Sequence, residues 1–172
     1  MAKILFMKYD FRKMKLLYLA SIVLFAPLGY VMAYSTENIL SAYSYMLLIS
    51  TIVPTSLFTY EQRADCGFDL MLPAKEGDRI AGRYLISAVT IIYEFLLGTV
   101  IAFILTKTTQ AVWFDISVIF KFFLGGILIC MSIELCILYI IGRGINPQVR
   151  SVMIMLPNMI IWGIAYAAIN IF

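Results

Sequence analysis

YLISAVTIIYEFLLGTVIAFILT, residues 84–106, is an apolar run in which Glu94 is the only charged side chain. About 20 apolar residues in a helix cross the roughly 30 Å hydrocarbon core of a bilayer. A helix is the structure that fits, because backbone polar groups in lipid have to be hydrogen-bonded within their own segment. The run therefore predicts a membrane-spanning helix.

Further apolar runs on both sides of this one predict an all-α polytopic membrane protein. The chain of 172 residues is 63% hydrophobic and 13% charged, whereas soluble domains are about a quarter charged. The runs are continuous, unlike the short alternating strands of a transmembrane barrel. The five predicted spans are Leu16–Tyr34, Ile39–Tyr60, Tyr84–Thr106, Trp113–Ile141 and Ser151–Phe172.

The fourth run is too long for one straight span, because a helix over all of it would rise roughly 43 Å. Gly125 and Gly126 offer a break, with an interfacial helix over Trp113–Phe123 and a span from about Leu124. A single tilted helix with an exposed outer turn fits the same residues. The sequence leaves both interpretations open.

Lysine and arginine are concentrated on one side of the predicted spans. All of them except Lys107 and Lys121 lie in the N-terminal segment, in the loop between the second and third spans, or in the loop before the fifth. Loops rich in Lys and Arg stay on the cytoplasmic side. The N-terminus and both basic loops are therefore predicted to be cytoplasmic, in a multi-pass membrane protein.

Residues 1–15 are predicted to form an amphipathic helix at the cytoplasmic membrane surface. Their apolar side chains are interspersed with five cations, a composition that suits an anionic inner leaflet. A cytoplasmic extension that only supplies positive charge is the alternative. The cations are Lys3, Lys8, Arg12, Lys13 and Lys15.

Histidine and the common sequence motifs for catalysis or metal binding are missing from the sequence. There is no histidine, and the three cysteines form no CxxC pair, so neither a zinc site nor a redox motif is predicted. No GxxxxGK[ST] loop is present to cradle a nucleotide phosphate. We expect a chain that is not an enzyme and has no catalytic residue, metal or cofactor. The net charge of +3 comes without a basic arm, so a nucleic-acid partner is not expected.

Three polar side chains, Glu94, Glu134 and Asn158, fall inside predicted spans. Helical rise places Glu94 roughly 15 Å from the inner end of its span at Tyr84, and the other two roughly 12 Å deep. Acids inside a membrane are costly and are often functional. The three residues indicate either a polar lining of a translocation path or a proton-linked site. Hydrogen bonding between helices is the structural alternative.

The loop of residues 61–83, called the docking loop below, is the largest polar surface of the chain. Charged residues of both signs surround an apolar cluster, which is typical of a surface that binds a partner. A solvated loop that dips its apolar residues into the headgroups is the alternative. A helix is expected to begin near Lys75 and to continue into the third span. The residues predicted to contact the partner are Arg63, Asp65, Phe68, Asp69, Leu70, Leu72, Lys75, Asp78 and Arg79.

Residues 61–85 resemble the type-2 ABC exporter permeases, and more narrowly a short bacterial group of them. The similar elements are Glu61 closing the second span, Leu72-Pro73, and Arg83-Tyr84-Leu85 ten to twelve positions after the proline. The layout of the rest of the chain is similar in a looser way. One position departs from the pattern, since Glu76 stands where that group commonly has arginine.

This resemblance implies the membrane subunit of an ABC transporter that exports peptides or hydrophobic small molecules. It implies six spans in a bacterial inner membrane, so a sixth is expected beyond Phe172, with a natural five-span protein as the alternative. It also implies pairing as a homodimer or heterodimer. It also implies cytoplasmic ATPase subunits that hold ATP and magnesium, with the docking loop seated in a groove on the ATPase. A proton-coupled secondary carrier that uses Glu94 and Glu134 is the alternative function.

Overall fold

A computed structural model of the chain describes residues 2–60, 75–109, 116–126, 131–133, 135–141, 149, 159–160 and 163. Every element in these ranges is helical, which confirms the all-α prediction. The elements are α1 (Ala2–Ala20), a π-helical turn (Ser21–Phe25), α2 (Ala26–Thr36), α3 (Ile39–Ser50), α4 (Ile52–Tyr60), α5 (Glu76–Thr108), α6 (Ile116–Gly126) and α7 (Leu135–Ile141).

Three helical stretches of the described chain are long and apolar enough to cross a bilayer. They are Met7–Thr36, Ile39–Leu57 and Gly77–Thr108, and they coincide with the first three predicted spans. A shorter apolar segment, Met131–Ile140, lies within the fourth predicted span. Residues 127–130 and nearly all of the fifth predicted span fall outside the described residues. The form of the fourth segment, the number of spans and their orientation in the membrane therefore stay predictions.

The first long helix runs from α1 through the π turn into α2 without leaving helical geometry. Pro27 has no N–H to donate to the preceding turn, so the regular hydrogen-bond ladder has to change close to it. The change is the π turn, where the N–H of Ala26 donates to the carbonyl of Ser21, five residues back. α2 ends at Thr36. The next residue, Glu37, has a left-handed φ of 50°, which ends the helical hydrogen-bond pattern. The interfacial placement of residues 1–15 is not tested by this geometry.

The second long helix is divided between α3 and α4 at Thr51. Pro54 cannot donate to the carbonyl of Ser50, which weakens the ladder at that point. The hydroxyl of Thr51 donates to the carbonyl of Leu48 at 2.7 Å. At the other end, the Asn38 side chain caps α3 by accepting from the N–H of Leu40 at 2.9 Å.

The three long helices pack closely in an up-down-up arrangement. Contacts between α1 and α5 join residues 72 or 73 positions apart all along the interface, so these two helices run parallel. α2, α3 and the half of α5 toward Thr108 all pack against one another. Glycines permit this close approach, since a Cβ atom at Gly29 would lie 2.7 Å from Met46 Cε and one at Gly98 would lie 3.0 Å from Tyr43 Cδ1.

Candidate functional site

The described part of the docking loop forms the first turns of α5. Lys75 is the N-cap residue and is exposed, while Asp78 and Arg79 are half-buried. Their N–H groups donate to the carbonyl of Lys75, at 2.9 Å from Asp78 and 3.4 Å from Arg79. The predicted start of a helix near Lys75 is thus observed. The other predicted contact residues lie outside the described residues: Arg63, Asp65, Phe68, Asp69, Leu70 and Leu72.

A buried ion pair anchors α5 to α1 where the docking loop ends. Arg83 Nε lies 3.0 Å from Asp10 Oδ2, and the two side chains are only 4% and 8% exposed. Removing one partner of such a pair leaves an uncompensated buried charge, which is strongly destabilising. Sequence analysis missed Asp10. The available signal was a single acid in an otherwise cationic segment, Lys8–Lys15.

Hydroxyl groups make the next contact along the same interface. The hydroxyls of Tyr18 and Thr90 lie 2.7 Å apart, and both residues are buried. The hydroxyl of Tyr93 donates to the backbone carbonyl of Tyr18 at 2.7 Å. These two hydrogen bonds fix the position of α1 along α5 at Tyr18.

Glu94 lies at the end of this row that is farthest from the docking loop, and it is fully buried. Its Oε1 accepts a hydrogen bond from the hydroxyl of Ser21 at 2.8 Å. Within the described part of the chain, its Oε2 and the buried Ser87 hydroxyl have no hydrogen-bond partner. Glu134 and Asn158, the other two predicted intramembrane groups, lie outside the described residues, so their distance from Glu94 is not defined.

These contacts form one feature, called the polar seam below, which consists of the pairs Asp10–Arg83, Tyr18–Thr90 and Ser21–Glu94. On α5 its members, with Ser87, recur at helical spacing and so occupy one face. Burying polar groups in lipid is tolerated when they are hydrogen-bonded between helices. The described residues contain no group of three or more possible metal ligands of the His, Cys, Asp and Glu types. The seam is thus built to hold two helices in register.

Comparison with known protein families identifies the chain's relationship. The family model described as ABC-2 family transporter protein matches residues 5–172, which is almost the entire chain. No curated protein and no solved structure matches the chain significantly. The matched range contains the docking loop and the polar seam. It agrees with the resemblance carried by Leu72-Pro73 and Arg83-Tyr84-Leu85.

Proposed function

The chain belongs to the ABC-2 family of transporters, and we propose that it is the membrane subunit of a bacterial exporter driven by a separate ATPase. The match over residues 5–172 is the observation that carries this proposal. The sequence has no phosphate-cradling loop of its own, so ATP and magnesium would be held by the partner. In this proposal the chain is not an enzyme and carries no cofactor.

The docking loop is the surface that we assign to the ATPase. Its last residues are the first turns of α5, a helix of 33 residues that continues through the third predicted span. An uninterrupted hydrogen-bond ladder makes a helix stiff along its axis. A displacement of Lys75, Asp78 or Arg79 by the ATPase would therefore move the membrane-embedded part of α5 with it.

The polar seam would pass this motion on to the first span. Asp10 and Arg83 join α1 to α5 directly after the docking loop, and their burial favours a closed pair. The Tyr18–Thr90 and Ser21–Glu94 contacts continue the same register deeper along the helices. The inner parts of α1 and α5 would then shift as one unit between inward-facing and outward-facing arrangements.

Two such subunits, identical or related, would enclose the path in a cytoplasmic membrane of a bacterium. Peptides or hydrophobic small molecules are the substrate class that we propose, because of the resemblance to the short bacterial exporter permeases carried by Leu72-Pro73 and Arg83-Tyr84-Leu85. The N-terminus and docking loop would lie on the cytoplasmic side, where ATP is available.

Charge reversal in the docking loop tests the proposal. Asp69→Arg and Arg79→Glu should each weaken co-purification of the ATPase and reduce ATP-dependent export by membrane vesicles. Lys107→Glu is a matched control, since Lys107 is exposed near the opposite end of α5. If both docking-loop variants retain ATPase binding and export at wild-type levels, the docking role is wrong.

The buried carboxylate of Glu94 favours one second candidate, a proton-coupled carrier. Its Oε2 has no partner among the described residues, and intramembrane acids often carry protons in transporters. Such a carrier would move substrate under a pH gradient in vesicles that contain no ATPase, and Glu94→Gln would abolish that movement. Export that requires the ATPase and survives Glu94→Gln would exclude this candidate.

A further inference from the structure

Three exposed cations form one stripe along α1: Lys8, Arg12 and Lys15. Their spacing of four and then three residues places them on one face of a helix. The buried residues Asp10 and Met14 face α5 and α4 on the other side. None of the three cations forms an ion pair with another described residue. These three residues are called the basic stripe below.

The exposed face changes from basic to apolar directly after the basic stripe. Leu16 is 70% exposed and Leu19 is 56% exposed, and both follow Lys15 on the same side of the helix. From Leu16 to the helix end at Thr36 the rise is about 30 Å, which equals the thickness of a bilayer core. Lys15 therefore marks the edge of the hydrocarbon layer.

The same register places Arg12 at the level of the lipid headgroups and Lys8 at their water-facing edge, within reach of its long side chain. Arg12 lies about 5 Å and Lys8 about 10 Å beyond Lys15 along the helix axis. The headgroup layer is roughly 5–8 Å thick on each side of the core, and long cationic side chains reach along it. Exposed aromatic rings at Tyr9 and Phe11 flank the stripe at this level, as is usual at membrane interfaces.

We propose that the basic stripe, together with Leu16 and Leu19, is a binding site for the headgroup and upper acyl chain of an anionic phospholipid. The guanidinium of Arg12 can bind a phosphate through two parallel hydrogen bonds, and the two ammonium groups add point charges. The exposed leucines would contact the acyl chain below. Charge complementarity and the position at the edge of the core select a lipid as the occupant. The proposal is independent of ATP-driven export.

The test uses the full-length protein, purified in detergent and titrated with phosphatidylglycerol or phosphatidylcholine, with bound lipid counted by native mass spectrometry. We expect wild type to bind phosphatidylglycerol more tightly than phosphatidylcholine. Each cation near an anionic surface contributes enough to change the affinity about fivefold, so the triple variant Lys8→Gln, Arg12→Gln, Lys15→Gln should lose about 100-fold. Lys107→Gln removes an exposed cation near the other end of α5 and should leave the affinity unchanged.

Three results would overturn the proposal. The first is equal affinity of wild type for the two lipids, and the second is an equal loss in Lys107→Gln and the triple variant. The third is displacement of phosphatidylglycerol by inorganic phosphate or glycerol phosphate, which would indicate a site for free anions. The single variant Arg12→Gln covers the case in which the triple variant fails to fold. A loss of affinity of about fivefold for phosphatidylglycerol supports the proposal, and unchanged affinity overturns it.

Discussion

α5 is held by two kinds of contact in its two halves. Toward the docking loop, polar side chains from Arg83 to Glu94 contact α1 through the polar seam. Toward the other end, buried apolar residues such as Ala102 and Leu105 pack into a cluster with α3 and α6. One helix therefore has a directional interface at one end and a close-packed interface at the other.

The difference shows how register and stability can be separated in a membrane helix pair. Hydrogen bonds and the ion pair have fixed partners, so a slip of one residue along α1 breaks all of them together. Packing contacts are non-directional, and in lipid they depend on small residues that let backbones approach. Gly98 is the small residue that lets α5 approach α3 closely, and Tyr43 of α3 lies against it. We expect the half of α5 toward the docking loop to move as a unit with α1. The other half of α5 should permit sliding past α3.

Arg83→Ala should produce the largest effect, because it removes the guanidinium that lies 3.0 Å from the buried Asp10 carboxylate. The expected loss in the free energy of unfolding is about 3–5 kcal/mol. It can be measured by SDS-induced unfolding of the purified protein in mixed micelles, followed by circular dichroism. Lys75→Ala is the control, since Lys75 is exposed on the same helix.

A double-mutant cycle sharpens this prediction. Asp10→Ala combined with Arg83→Ala should destabilise by clearly less than the sum of the two single variants, because the two groups contact each other. Additive effects, or a loss below about 1 kcal/mol for Arg83→Ala, would indicate a pair that is solvated and worth little.

Enlarging a glycine in the close-packed half should have the second largest effect. At Gly98 a new Cβ atom would lie 3.0 Å from Tyr43 Cδ1, so Gly98→Val forces α3 and α5 apart. Overpacking of this kind costs about 1–3 kcal/mol. The same unfolding assay measures it. Gly77→Ala is the matched control, because nothing lies within 4 Å of a Cβ there, and it should be neutral or slightly stabilising.

Removing single hydroxyl groups should have the smallest effects. Tyr18→Phe deletes the contact with Thr90 in the polar seam, and Tyr43→Phe deletes a 3.1 Å bond to Thr99 in the packed half. Interhelical hydrogen bonds in membranes average about 0.6 kcal/mol, so both variants should lose similar, small amounts of stability. The two should differ in transport, with only Tyr18→Phe reducing export per ATP hydrolysed. Equal export by both would remove the functional distinction between the two halves.

The sequence was sufficient to predict the helices but not their partners. Long apolar runs identified the three described spans. Arg83 was recognised as part of a motif and counted among the loop cations. The burial of Arg83 against Asp10 could not be predicted. The two residues are 73 positions apart, and they meet only because α1 and α5 run parallel in one particular register. Ser21 was missed for the same reason, since one serine in an apolar run resembles any other.

The π turn at Ser21–Phe25 has a further consequence, because it amounts to a one-residue insertion in an α-helix. Every residue after it is rotated by about 100° relative to an uninterrupted helix. Deleting one residue there and restoring α geometry would keep Gly29 and Ala33 against α3, whereas α geometry without the deletion would turn them away while leaving Asp10 and Tyr18 in place. Relatives without the turn should therefore align with this chain only through a single-residue gap between residues 21 and 25. Such a gap would lie between the part of the first span that contacts α5 through the polar seam and the part that packs on α3.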